Sequence, residues 1–273
     1  MYVRRKFYFA ERDCLRKGCR VDKSTDIFDC SGKVVAITGG SGLIGKELAY
    51  GFLQNGAKVC IADIKSPVPD IRNTEFVKID ITSERSVVNG FKKLKNKYGC
   101  IDVLVNTAYP ATKDWSDRFE KVRFSSFIEN ISGHLGGYFL TSRYAAEMMK
   151  KQNKGSIINF SSIYAFKAPD FSIYDGTSMT MPAAYAPIKA GVIAFTRYIA
   201  SYYGKHNVRA NIISPGGVYN NQPESFVKKY EKKTPLSRMA LPGDIVGAAV
   251  FLASDASSYI TGSNIVVDGG WSL

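Results

Sequence analysis

Tyr185 and Lys189 are the residues best suited to proton transfer, and they stand four positions apart in the segment Tyr-Ala-Pro-Ile-Lys. In a helix, residues at i and i+4 share a face, so the phenol and the ammonium group would lie side by side. Pro187 fits a helix only in its first turn, which places Tyr185 at the helix mouth. A free tyrosine has a pKa of about 10, and a neighbouring cation favours the phenolate. Tyr185 is therefore predicted to act as an acid or base near neutral pH, with its pKa lowered by Lys189.

A glycine-rich turn provides a second group of residues with recognisable chemistry. The run from Thr38 to Gly45 reads Thr-Gly-Gly-Ser-Gly-Leu-Ile-Gly, and it joins a short apolar run to a predicted helix. Glycines permit a tight turn and let the backbone approach a pyrophosphate, while the helix start supplies N–H groups and the positive end of its dipole. The predicted cofactor contacts in this turn are Gly39, Ser41, Gly42, Leu43, Ile44 and Gly45.

Two acidic residues are placed to contact a dinucleotide. Asp63 follows the second predicted strand, where a carboxylate accepts both ribose hydroxyls of NAD and repels the extra phosphate of NADP. The alternative is a simple turn aspartate. The nearby Lys65 weakens the preference for NAD, but NADP remains the less favoured cofactor. Asp80 is interpreted either as a partner of the adenine amino group or as a turn residue, and Ile81 is a further predicted cofactor contact.

The surrounding sequence predicts alternating strands and helices. Apolar runs predict strands at 34–37, 59–62, 76–79, 101–105, 156–160, 208–213 and 264–267. Helical spacing predicts helices after Ile44 and at 87–98, 117–152, 188–199 and 243–254. Continuous apolar strands that alternate with helices are typical of a parallel sheet covered on both faces. The predicted fold class is therefore α/β, a Rossmann-type doubly wound parallel sheet in a single domain over 32–273.

Composition limits the classes of partner and compartment. The formal net charge is +13, but the basic residues are scattered without interleaved aromatics, which disfavours nucleic acid and favours an anionic small molecule. Five scattered cysteines and two histidines predict no metal site, and they are typical of reduced thiols in a cytoplasmic protein. We find no apolar run near the roughly 20 residues of a membrane span. Residues 1–31 are predicted to form a basic extension, either floppy or ordered on contact, or else an interaction or targeting arm.

In combination, these motifs resemble the short-chain dehydrogenase/reductase family, in its branch with a YxxxK motif. The resemblance covers about 32–273 and includes Ser161-Ser162, Ile213-Ser-Pro-Gly-Gly217 and the ending Val-Asp-Gly-Gly270. It implies that Tyr185 donates or accepts the proton, that Lys189 holds the nicotinamide ribose, and that Ser162 hydrogen-bonds the reacting oxygen. The further implied cofactor contacts are Asn106, Pro215, Gly216 and Val218.

Four features depart from the family pattern. The glycine spacing TGxxGxxG is more usual in the longer sugar-nucleotide epimerase branch, and Tyr109 ends the segment where the family has Asn-Asn-Ala-Gly. His134 occupies the place of the family's fourth catalytic residue, an asparagine, and is interpreted either as a holder of the proton-relay water or as a packed helix residue. Asn130 is a weaker candidate for that role. An insertion at 170–182 is predicted to shape substrate choice, the alternative being an inert surface loop.

Four further segments read SSIYAF, IYDGTSMTMP, GHLGGYFL and ISPGGVYNNQPE. They resemble a bacterial subgroup connected with flagellin modification and with legionaminic-acid-type surface glycans. That resemblance implies a sugar phosphate or nucleotide-linked sugar as substrate. A sugar epimerase or dehydratase that retains NAD, and a non-catalytic cofactor-binding regulator, are the alternatives. The family resemblance also implies a homodimer or homotetramer formed through the helices at 117–152 and 183–204.

Overall fold

The structure is a computed structural model, and it describes residues 27–67 and 71–273. Within these residues the strands are β1 (Val34–Thr38), β2 (Lys58–Asp63), β3 (Thr74–Lys78), β4 (Val103–Asn106), β5 (Gly155–Phe160), β6 (Val208–Pro215) and β7 (Asn264–Val267). They form one parallel sheet in the order β3-β2-β1-β4-β5-β6-β7. The strand order reverses between β1 and β4, and sheets of this kind bind ligands in the crevice at that point. The predicted fold class is confirmed.

Helices cover both faces of the sheet. The α-helices of the described residues are α1 (Leu43–Gln54), α2 (Glu84–Tyr98), α3 (Phe124–Ile131), α4 (Gly137–Gln152), α5 (Tyr185–Tyr203), α6 (Glu224–Lys233) and α7 (Val246–Ala253). Along β1, Val35 and Ile37 enter the core shared with α1 and α7, whereas Val34 and Ala36 enter the core on the opposite face. This division follows from the alternation of strand side chains between two faces. No helix in this part of the chain is long and apolar enough to cross a membrane.

Two helices differ from the sequence prediction. The continuous helix predicted over 117–152 is wrong, because α3 begins only at Phe124 and a π-helical turn, Ser132–Gly136, separates it from α4. Glycine is a poor helix former, and π-helical turns concentrate at functional sites. Helix α6 was not predicted, because its few apolar residues are dispersed among lysines and glutamates.

The predicted N-terminal extension lies mostly outside the described residues, which begin at Ile27. The Ile27 carbonyl accepts a hydrogen bond from the Ala256 amide at 3.0 Å, and the Phe28 and Phe251 rings lie 6.3 Å apart. Cys30 is completely buried in the core on the α1 side of the sheet. The last residues of the segment therefore contact the domain, and the division at residue 31 stays a prediction.

Candidate active site

The turn between β1 and α1 allows a ligand to approach the backbone closely. Gly39 has a φ of +69°, and a Cβ there would lie 2.6 Å from the backbone of Ala108. A Cβ on Gly45 would lie 2.3 Å from the Gly39 carbonyl oxygen, so only glycine fits this first helical turn. Gly42 caps α1 without any side-chain hydrogen bond, which leaves the first amides of the helix to an anionic ligand.

Asp63 lies at the end of β2, and its side chain contacts the same turn. Its carboxylate accepts hydrogen bonds from the Ser41 amide at 3.0 Å and the Lys65 amide at 3.2 Å. Asp63 also lines a cavity of about 270 Å³ together with Gly39 and Gly42. Because each carboxylate oxygen has two acceptor positions, its role in the turn leaves capacity for ribose hydroxyls.

Asp80 and Ile81 also line that cavity. The Asp80 carboxylate accepts hydrogen bonds from the Thr82 amide at 2.9 Å and from the Thr82 hydroxyl at 2.7 Å. Both hydrogen bonds reach the same carboxylate oxygen, Oδ1. Asp80 is therefore a turn residue, as one interpretation predicted. It also lines the cavity in which the second interpretation places adenine.

Asn106 requires a correction. It is fully buried, and its Nδ2 donates to Ser142 Oγ at 3.1 Å and to Asn159 Oδ1 at 2.8 Å. Its Oδ1 accepts hydrogen bonds from the hydroxyls of Thr38 and Thr141. These bonds use both amide donors and both acceptor positions, so this side chain joins β1, β4, β5 and α4 instead of contacting a cofactor.

Strand β5 and helix α5 bring the three predicted catalytic residues together. Ser162 follows β5, Tyr185 opens α5, and Lys189 lies one helical turn later. All three line one cavity of about 440 Å³. The Lys189 Nζ lies 5.7 Å from the centre of the Tyr185 ring. The predicted cofactor contacts that line this same cavity are Leu43, Ile44, Pro215, Gly216 and Val218.

Burial governs the protonation of this group. Desolvation raises the pKa of Tyr185 above its usual value, and a hydrogen-bonding interaction with Ser162 opposes that rise. Burial also lowers the pKa of Lys189 to about 8, and its Nζ donates to the Phe160 carbonyl at 3.0 Å. Desolvation is the larger of the two effects on Tyr185, and the predicted lowering of its pKa by Lys189 stays a prediction.

His134 sits in the π-helical turn and is buried beside the catalytic residues. Its ring stacks on Trp115 at 5.2 Å and meets the edge of Tyr109 at 4.7 Å. Burial first, and then the charge of Lys189, lower the pKa of His134 to about 4, although a hydrogen bond to the Pro110 carbonyl opposes this. Its Nε2 has no partner within the described residues. His134 is thus a buried, neutral imidazole packed against aromatic rings, and its hold on a relay water stays a prediction.

The buried imidazole leads to a testable pH effect on stability. The pKa of His134 is about 4 in the folded chain and about 6.5 in the unfolded chain. Between these two pH values, His134 therefore binds a proton mainly in the unfolded chain. Stability should fall by about 2 kcal/mol from pH 7.5 to pH 5 through this residue alone. We expect His134→Asn to remove that part of the acid sensitivity in urea unfolding. His206→Asn is the control, and an unchanged pH dependence in His134→Asn would contradict the prediction.

Asn130 is not part of the catalytic group. Its Oδ1 accepts a hydrogen bond from the Thr112 amide at 3.1 Å, and its Nδ2 donates at 2.8 Å both to Thr112 Oγ1 and to the Ser126 carbonyl. These bonds anchor the segment that carries Trp115, whose Nε1 donates to the Tyr109 hydroxyl at 3.1 Å. The weaker candidate from the sequence is therefore a positioning residue for this aromatic segment.

The insertion at 170–182 forms one wall of the larger cavity. Tyr174 packs on Phe226 of α6 with ring centres 5.3 Å apart. The Lys229 Nζ donates to the Ser172 carbonyl at 3.2 Å and to the Asp175 carbonyl at 2.7 Å. The insertion residues that line the cavity are Tyr174, Met179, Thr180, Met181 and Pro182. The alternative of an inert surface loop is therefore wrong.

Sequence reasoning missed part of the aromatic lining. Tyr164, Phe226, Tyr230 and Met239 all face the larger cavity, and Trp271 packs on Tyr164 with ring centres 5.7 Å apart. These residues come from three distant parts of the chain, so no local spacing identifies them. The sequence signal was the density of aromatics after Ser162 and before the C-terminus.

The two cavities together fit a dinucleotide. Both are lined by Thr107 and Tyr109, so the space beside Asp63 continues into the space beside Tyr185. The glycine turn between them is a cradle that a Cβ at Gly39 or Gly45 would fill. The residues present therefore match the adenosine, pyrophosphate and nicotinamide regions of such a cofactor.

Comparison with known proteins agrees with this geometry. Residues 40–272 match the family described as enoyl-(acyl carrier protein) reductase. The chain is 36% identical over 252 residues to the post-translational flagellin modification protein A of Campylobacter coli, covering 88% of this chain and 98% of that protein. It is 33% identical over 260 residues to the L-rhamnose-1-dehydrogenase of Scheffersomyces stipitis, covering 88% and 96% of the two chains.

A solved structure of a related protein has a similar fold. The short-chain dehydrogenase from Leptospira borgpetersenii with bound NAD+ superposes with a TM-score of 0.85 at 37% identity. The match covers 93% of this chain and 98% of that chain. Sequence and fold therefore agree over nearly the whole chain.

Proposed function

Since the chain belongs to the short-chain dehydrogenase/reductase family of oxidoreductases, we propose that it interconverts a secondary hydroxyl and a ketone on a sugar-derived substrate with NAD. The observation that carries the proposal is the convergence of Ser162, Tyr185 and Lys189 on one cavity. That cavity continues into the cradle for a dinucleotide. The similarity to a flagellin modification protein supports a sugar of a legionaminic-acid-type surface-glycan pathway.

Each catalytic side chain has a role that its surroundings support. Burial keeps Tyr185 protonated, so it donates its proton to the carbonyl oxygen during reduction and recovers it from the hydroxyl during oxidation. Ser162 directs its hydroxyl to the same oxygen and fixes its position. Lys189 reaches the nicotinamide ribose from within the cavity lining, and the cofactor supplies or accepts the hydride when bound. His134 holds the water of the proton relay through its Nε2 lone pair.

The preference for NAD depends on Asp63. Its carboxylate is held by two backbone amides beside the cavity, and a 2′-phosphate placed there would meet a fixed negative charge. The bound NAD+ in the Leptospira structure supports this choice.

We expect Asp63→Ala to relax the cofactor preference. Removal of the negative charge eliminates repulsion of the 2′-phosphate and costs NAD its ribose partner, so the NAD/NADP affinity ratio should fall about 10-fold or more. Fluorescence titration with NADH and NADPH measures the ratio. Asp80→Ala is the matched control, since its cavity position near adenine is shared by both cofactors. An unchanged ratio in Asp63→Ala would remove the residue from this role.

The proposed activity can be tested on the purified protein. NADH binding is measured first, and a panel of sugars, sugar phosphates and nucleotide-linked sugars is then followed at the nicotinamide absorbance. A substrate-dependent absorbance change supports the dehydrogenase. A sugar product without net change of absorbance indicates an epimerase or dehydratase that retains NAD. Binding of NADH without any product across the panel indicates a regulatory binder and contradicts the proposal.

We propose that the protein is a cytoplasmic homodimer or homotetramer. Exposed aromatic and aliphatic side chains lie on α3, α4 and α5, the helices predicted to form the interface. The most exposed of them are Phe124, Ile128, Phe139, Tyr198 and Tyr202. Exposed apolar surface of this kind marks protein contacts. Light scattering of the purified chain determines the mass of the assembly.

A further inference from the structure

We propose that the part of the substrate that enters the larger cavity is an uncharged, hydroxyl-bearing ring, bound by aromatic faces and by uncharged polar side chains of the wall. This inference rests on the proposed dehydrogenase function and names the substrate class of the same site. It differs from the anionic substrate that the net charge of +13 suggested.

The charge of the cavity wall is the first observation. Among the described residues that line the larger cavity, the one charged side chain is Lys189. Its Nζ already donates to the Phe160 carbonyl, and the dehydrogenase role commits it to the nicotinamide ribose. A phosphate or carboxylate inside this space would therefore be desolvated without a cation of its own, which is costly.

The lysines beside the cavity are used within the protein. Lys229 donates to two carbonyls of the insertion, and Lys233 forms an ion pair with Asp170. Lys167 donates to the carbonyls of Ser272 and Leu273 at 3.2 and 3.3 Å. These cations tie the insertion, α6 and the C-terminus together, and so they shape the wall without providing an anion site.

The second observation is the chemistry that the wall does present. The rings of Tyr109, Tyr164, Tyr174 and Phe226 border the cavity. The polar side chains of the wall outside the catalytic group are uncharged and include Thr180, Asn220 and Gln222. Hydroxyl and amide groups both donate and accept hydrogen bonds, so they match the hydroxyls of a neutral ring.

Matched pairs of substrates test whether the bound ring is uncharged. The full chain with NAD+ is assayed on galactose and N-acetylglucosamine, each against its 6-phosphate. We expect kcat/KM to favour the neutral member of each pair at least 10-fold. Turnover that favours the phosphorylated member would overturn this inference and leave the dehydrogenase standing.

Ligand binding separates this inference from the proposed activity. The sequence has two tryptophans, and both lie at the site, Trp115 beside Tyr185 and Trp271 on Tyr164. If neither member of a pair is oxidised, quenching of tryptophan fluorescence in the presence of NADH still measures whether each sugar binds. Quenching by the neutral sugar alone supports the inference. Quenching by the phosphorylated form alone, or by neither form, overturns it.

Discussion

Tyr185→Phe should lower turnover at least about 100-fold while leaving NADH affinity nearly unchanged. The substitution removes only the hydroxyl that carries the proton, and the ring continues to pack against Tyr109 and Tyr164. The cofactor contacts do not depend on that hydroxyl. Steady-state turnover on the best substrate and fluorescence titration with NADH measure the two quantities.

The control for this experiment is Tyr203→Phe, which removes a phenol at the other end of the same helix. Tyr203 donates to Glu147 Oε1 at 2.8 Å and does not line the cavity. Its loss should cost some stability and leave turnover unchanged. Near-normal turnover in Tyr185→Phe would show that another group transfers the proton.

Gly39→Ala should weaken NADH binding about 100-fold. A side chain at a φ of +69° costs about 1 kcal/mol. The new Cβ would also overlap the backbone of Ala108, and relief of such overlap costs about 1–3 kcal/mol. The turn and the neighbouring segment must then separate, which moves the helix amides away from the pyrophosphate position. NADH binding must restore the strained turn, so a total of about 3 kcal/mol is lost from the binding free energy, which corresponds to about 100-fold in affinity.

Gly32→Ala separates the effect of a positive φ from the effect of close contact with another segment. Gly32 has a φ of +76°, but a Cβ there would meet nothing within 4 Å. This control should therefore lose about 1 kcal/mol of stability and keep its NADH affinity. Thermal unfolding and NADH titration are measured on both variants. Equal NADH affinities in the two would show that the close approach at Gly39 does not govern the cofactor site.

The fold and the binding turns could be predicted because their signals are local. A buried parallel strand needs a continuous apolar run, and a pyrophosphate turn needs glycines between such a strand and a helix. The strand Asn264–Val267 is found with the bounds predicted from its apolar run. The interruption of the 117–152 helix was missed, because the spacing of apolar residues does not reveal a single π-helical turn such as Ser132–Gly136.

Roles that depend on hydrogen-bond partners could not be predicted. Asn106 and Asn130 both looked like ligand or catalytic residues in the sequence. In the fold, the first joins strands and the second anchors the Trp115 segment. A side-chain amide has the same chemistry in either role, so only its neighbours distinguish them.

The sequence by itself determined the fold class and the family, and it supplied the proposed dinucleotide turn and the proposed catalytic residues Ser162, Tyr185 and Lys189, because each depends on residue type at short spacing. Tertiary structure alone decided the protonation of the site and the character of its wall. The pKa values of Tyr185 and Lys189 follow from burial, which is a property of the packed molecule. Likewise, the +13 charge of the chain does not describe its cavity, because lysines from distant segments are used to hold the wall together.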